Sequence, residues 1–101
     1  MKSKPVELEP SALEEMRLVR IWYAQRSPIA ADRFVAEVDR AIEEIATNPD
    51  RWPAHLYGTR RILLHRFPYL IVYRIEPAVV KIIACQHGRQ RPGYWRERTK
   101  K

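Results

Sequence analysis

The chain predicts an α+β fold of order β-α-α-β-β-β, with a helical hairpin packed on one face of a mainly antiparallel sheet. Three observations predict it. Apolar residues recur at helical spacing in two successive stretches between residues 11 and 47. Three runs rich in Val, Ile, Leu and Tyr then follow between residues 59 and 86. The connections between those runs, Arg66-Phe67-Pro68 and Glu76-Pro77-Ala78, suit hairpins and are too short for helical crossovers.

The first element is a short strand, Pro5-Val6-Glu7-Leu8-Glu9, which alternates apolar and polar residues and is halted at Pro10. Ser11 and Glu14 have the spacing of a capping box, so a helix is expected from there to about Gln25. Its apolar face is read as Leu13, Met16, Val19, Trp22 and Tyr23. Ser27-Pro28 starts a second helix, with Ser as N-cap and Pro at the first helical position. Ala31, Phe34, Val35, Val38, Ala41, Ile42 and Ile45 form its stripe, and Arg33–Glu37 and Arg40–Glu44 are expected to pair on the opposite face. Asn48-Pro49 ends it. A loop over 50–58 leads into strands at 59–65, 69–75 and 79–86.

The 101 residues suit a single domain with one modest core, residues 1–101, carrying a basic aromatic tail over 87–101. No apolar run approaches the roughly 20 residues of a membrane span. Met1-Lys2-Ser3-Lys4-Pro5 opens no apolar leader, and the single Cys85 has no internal disulfide partner, so a cytoplasmic protein without membrane association is expected. Net charge is +7 but uneven. Residues 1–58 hold eight Lys/Arg and ten Asp/Glu, whereas residues 59–101 hold eleven and two. That polarity points to a surface for an anionic partner.

Side-chain alternation sorts the strands. Ile62 and Leu64, Tyr69, Ile71, Tyr73 and Ile75, and Val80, Ile82 and Ala84 are expected beneath the helices. Arg61, Leu63, His65, Leu70, Val72, Arg74, Val79, Lys81, Ile83, Cys85 and His87 then occupy an open face. On this reading Arg61, Arg74 and His87 form a basic platform joined to Arg89, Arg91, Tyr94 and Trp95 of the tail. Tyr94-Trp95 has a second reading, as a lid folded back on the domain.

Several features extend the pattern: Trp22-Tyr23, the Ala31–Ile45 stripe, Asn48-Pro49, Arg60-Arg61, the run Arg66-Phe67-Pro68-Tyr69 through Arg74, and His87-Gly88-Arg89-Gln90-Arg91-Pro92-Gly93-Tyr94-Trp95. Together they resemble the RelE/ParE toxins of type II toxin–antitoxin modules, in the style of the ParE-like branch. The resemblance implies a helical hairpin on an antiparallel sheet. It also implies a cognate antitoxin of the ParD or RelB kind, small and acidic-tailed, wrapping the hairpin and adding a strand. ParE-like members inhibit DNA gyrase; RelE-like members enter the ribosome and cut mRNA.

Target binding is expected at Arg61, Arg74, His87, Arg89, Arg91, Tyr94 and Trp95. RNA cleavage would need a proton acceptor, a donor and cations about the phosphate, for which His87, Tyr94, Arg61, Arg74, Arg89 and Arg91 are the candidates. No acid lies between Asp50 and Glu76, and the loop over 50–58 lacks the Lys expected of RelE-like catalysis. Gyrase inhibition therefore ranks above mRNA cleavage, with a non-catalytic nucleic-acid-binding module as a further alternative. No cofactor or metal is expected, because no His, Cys or Asp cluster has ligand spacing.

Overall fold

The computed structural model describes residues 4–100. The reading of Met1–Ser3, and Lys101 of the tail, lie outside them. Strand β1 (Val6–Leu8) leads to helices α1 (Pro10–Ala24) and α2 (Pro28–Thr47). Strands β2 (Arg60–Leu63), β3 (Tyr69–Ile75) and β4 (Val80–His87) follow, then a 3₁₀ turn at Arg96–Thr99. The sheet order is β1-β4-β3-β2. β1 runs parallel to β4 and the other pairs are antiparallel, so the mainly antiparallel sheet under a helical hairpin is as expected.

The helix signals hold at α2 and shift at α1. Ser27 caps α2, its hydroxyl accepting the Ala30 N–H at 3.2 Å. α1 instead begins at Pro10, whose fixed φ suits a first helical position; Ser11 is thereby drawn inside and caps nothing. Glu14 pairs with Arg17 at 2.5 Å rather than turning back to the backbone. Neither Arg33–Glu37 nor Arg40–Glu44 forms an ion pair among the described residues. Glu37 accepts the backbone N–H groups of His65 (2.8 Å) and Arg66 (3.3 Å), closing the β2–β3 connection.

The main core lies between hairpin and sheet. α2 contributes Ala31, Phe34, Val38, Ala41 and Ile45. α1 contributes Ala12 and Met16, with Val19 and Tyr23 packed alongside. Leu13 and Trp22, expected inward, are 58% and 49% exposed. The inward stripe is 12, 16, 19, 23, and the phase of the helix, set by its packing on β4, turns Leu13 outward. Ile62, Leu64, Ile71 and Tyr73 fill the sheet side as expected. The Tyr73 hydroxyl donates to the Pro49 carbonyl at 2.5 Å, anchoring the end of α2.

A bulge corrects the pleat of β4. Tyr73 faces Ile82 and Val72 faces Ala84, so Ile83 has no partner of its own. Beyond it the faces exchange. Cys85 joins the helix-side core, while Ala84, expected there, turns to the other face beside Ile83. His87 moves with Cys85: it lies opposite Tyr69, with ring centroids 5.0 Å apart, rather than on the face of Arg61 and Arg74.

Candidate functional site

The second face of the sheet is closed, against the open platform expected. Leu70, Val72, Ile83, Ala84 and Trp95 form a separate buried cluster, with Trp95 only 1% exposed. The indole N–H donates to Gln86 Oε1 at 2.9 Å. His55 and Tyr57 from the loop before β2 flank the ring, at centroid distances of 5.8 and 6.0 Å. The lid reading of Trp95 therefore describes its place, and its side chain is packing rather than contact surface. Burial, then the nearby Arg61 charge, lowers the His55 pKa, so this imidazole is held neutral beneath the tail.

The turn that delivers Trp95 depends on Gly93. Its φ of 86° lies in the left-handed region, and a Cβ there would stand 3.0 Å from the Tyr57 ring. Upstream, Gln90 closes the turn after β4. Its side-chain oxygen accepts the His87 N–H at 2.7 Å, and its carbonyl accepts from Gln86 Nε2 at 3.1 Å. Arg89 and Arg91 project from this turn, both exposed. His87 Nδ1 accepts the Arg89 N–H at 3.0 Å, which leaves the proton of the neutral ring on Nε2.

Tyr94 is tied down. Its hydroxyl donates to Glu15 Oε2 at 2.7 Å, and the Arg98 guanidinium lies 5.4 Å over its ring. Burial, then this carboxylate, pushes the phenol pKa well above its ordinary value. Such a phenol keeps its proton and makes a poor acid or base near neutrality. Arg74 is engaged too, bonding Glu76 at 2.6 Å and donating to the Thr99 carbonyl. Arg61 stays on the tail-covered face opposite Val72, half-buried and without a carboxylate partner among the described residues.

The expected residues thus fall into three places. Arg61 and Arg74 lie under or beside the tail, Tyr94 and Trp95 hold the tail down, and His87, Arg89 and Arg91 stand at the end of β4. Glu15 escaped the sequence reading, yet it joins Tyr94, Arg98 and the Cys85 N–H (3.0 Å). The stripe read through Leu13 hid it; with Ala12 inward, the half-buried position 15, three residues after Ala12 and four before Val19, borders the inward stripe, where a carboxylate needs partners. Burial, then Glu15, pushes the Cys85 thiol up to about 12, so it is an unreactive packing group.

Comparison with known proteins decides the family. Residues 6–92 match the family model described as the ParE toxin of type II toxin–antitoxin system, parDE. The chain belongs to the ParE toxin family. Among relatives, Toxin RelE3 of Caulobacter vibrioides is 29% identical over 90 residues, covering 87% of this chain and 98% of the relative. Putative toxin Y4kP of Sinorhizobium fredii is 30% identical over 91 residues, covering 89% and 94%. A solved structure of the chromosomal ParDE system of P. aeruginosa superposes with a TM-score of 0.74 at 15% identity, covering 84% of this chain and 96% of that one. The toxin–antitoxin complex RelBE2 of Mycobacterium tuberculosis gives 0.57 at 22%, covering 86% and 93%. This ParE-family chain therefore shares its fold with both. No helix among its described residues is long and apolar enough to cross a membrane.

Proposed function

We propose that this type II toxin acts in the cytoplasm by inhibiting DNA gyrase and is neutralised by a cognate antitoxin. The observation that carries the reading is the dispersal of the acid–base candidates. His87 belongs to the helix-side end of β4, the Tyr94 hydroxyl is committed to Glu15 as a donor, and Arg61 and Arg74 lie on the opposite sheet face. General acid–base cleavage needs donor, acceptor and cations converging on one phosphate, so the arrangement supports binding over cutting. The match to the ParE family description favours the same side.

The antitoxin has a suitable seat. A groove of about 550 Å³ between the helices is lined by Leu13, Met16, Val35, Val38 and Ile42, with Arg17, Arg20 and Asp39 as its charged residues. An acidic-hydrophobic segment fits the apolar floor, with its carboxylates on the Arg17 and Arg20 side and away from Asp39.

Induction of the chain in a bacterial host should arrest growth, and co-expression of the antitoxin encoded beside it should restore it. Purified toxin should block gyrase supercoiling while ribosome-bound mRNA stays intact. Cleavage of mRNA between codons, with supercoiling unaffected, would transfer the protein to the RelE-like endoribonuclease reading.

A further inference from the structure

Ion pairing sorts the cations of the C-terminal part into two groups. Arg74 pairs with Glu76, Arg98 with Glu15, Lys100 with Glu97, and Lys81 and Arg60 more loosely with Glu9 and Asp50. The Arg96 guanidinium lies 4.8 Å over the Tyr57 ring. Among the described residues Arg61, Arg66, Arg89 and Arg91 have no such partner. Three of these four gather at one end of the sheet. Arg66 is in the β2–β3 connection and Arg89 and Arg91 leave β4; a bond from the Gly88 N–H to the Pro68 carbonyl, 2.8 Å, ties the two segments.

Between those segments opens a hollow of about 190 Å³, bordered by Leu63, Phe67, Pro68, Gly88 and Arg89. Leu63 is 60% exposed at its rim. The volume is below the roughly 300–1,000 Å³ of small-molecule pockets and suits one anchoring side chain of a protein partner. Glu37 reaches the β2–β3 connection, where it is already bonded to the His65 and Arg66 backbone.

We infer that this end of the sheet docks an acidic protein segment with one apolar anchor, which enters the hollow while flanking carboxylates pair with Arg66, Arg89 and Arg91. The inference deepens the gyrase reading and rests on it for the partner's identity. A nucleic acid fits less well, because unpaired bases need free ring faces on which to stack. Trp95 is buried, Phe67 packs against Tyr23 and Phe34 at 5.0 and 5.5 Å, and Tyr69 and His87 meet edge to face.

The test uses the isotope-labelled full chain in low salt. The probes are a capped peptide with acidic residues flanking a central Leu-Phe, and an oligouridylate of equal net charge. Saturable peptide-induced shifts are expected at amides 63, 66, 67 and 87–91. Leu63→Ser and Arg89→Glu should each weaken the peptide at least fivefold, whereas Lys100→Glu, the same charge change elsewhere, should stay within twofold. Both Leu63 and Arg89 are exposed, so these variants should keep the fold, which the amide spectrum itself reports. Absence of peptide binding, shifts centred elsewhere, or equal losses from Lys100→Glu and Arg89→Glu would overturn the inference. So would oligouridylate binding more tightly at these amides without dependence on Leu63. Peptide binding by a chain that leaves gyrase supercoiling untouched would remove the gyrase reading alone.

Discussion

Glu15 and Arg98, eighty-three positions apart in the chain, meet at 3.0 Å across a part of β4 that has no neighbouring strand. β1 pairs only with Val80–Ile82, so the following edge would leave backbone groups unsatisfied. Glu15 accepts the Cys85 N–H at 3.0 Å, and Arg98 donates to the Ile83 carbonyl at 3.1 Å. Two side chains thus take the place of a missing strand. They also fasten the tail to α1, so the C-terminal segment is part of the folded domain.

Arg98→Ala leaves Glu15 mostly buried without its cation and exposes the Ile83 carbonyl. A loss of about 2 kcal/mol is expected, below the roughly 3–5 kcal/mol of a fully buried broken pair because both side chains keep about a fifth of their exposure. Tyr94→Phe removes one donor to the same carboxylate and should lose about 1 kcal/mol. Urea unfolding checks both. An Arg98→Ala chain as stable as the parent would show that the clasp is incidental.

Trp95→Ala empties the second core. Deleting a buried aromatic of this size costs roughly 3–5 kcal/mol, a large part of the stability of a domain this small. Removing residues 93–101 should therefore unfold the chain rather than merely disarm it. A truncated protein that keeps cooperative thermal unfolding would contradict the packing role.

Gly93→Ala places a Cβ against the Tyr57 ring and forces a left-handed backbone on an L-residue. The backbone part alone is worth roughly 1–2 kcal/mol. The expected signature is local: faster amide exchange at residues 94–99 and a red shift of Trp95 emission, with the helix-side core unchanged. Protection in the tail equal to the parent's would mean that the turn relaxes without cost.

Alkaline pH should weaken the fold. Burial pushes both the Tyr73 phenol and the Cys85 thiol up to about 12, from ordinary values of 10 and 9. Each holds its proton more tightly folded than unfolded, so its contribution is complete below the unfolded value and disappears as pH rises through the folded one. The urea midpoint should be level below about pH 9 from these groups and fall between 9 and 12. Tyr73→Phe and Cys85→Ala should each flatten that fall. A midpoint unchanged at pH 11.5, or variants with the parent's slope, would count against this account.

The sequence by itself determined the element order, the hairpin stripe of α2 and the helix-facing residues of β2 and β3. Those follow from local rules: helical periodicity, the Ser27 cap, the break at Asn48-Pro49 and strict alternation along a strand. It also located the surplus of positive charge. Which cations remain available was decided only by the tertiary structure, because pairing joins residues as distant as Glu15 and Arg98. The bulge at Ile83 was hidden for a related reason. An extra residue in one strand is defined by the partner strand, and without it alternation alone puts Cys85 and His87 on the wrong face. Trp95 marks the same division. Its sequence context is basic and aromatic whether it meets a target or a core, and only the apolar strip of Leu70, Val72 and Ile83 left uncovered by the helices draws it inward.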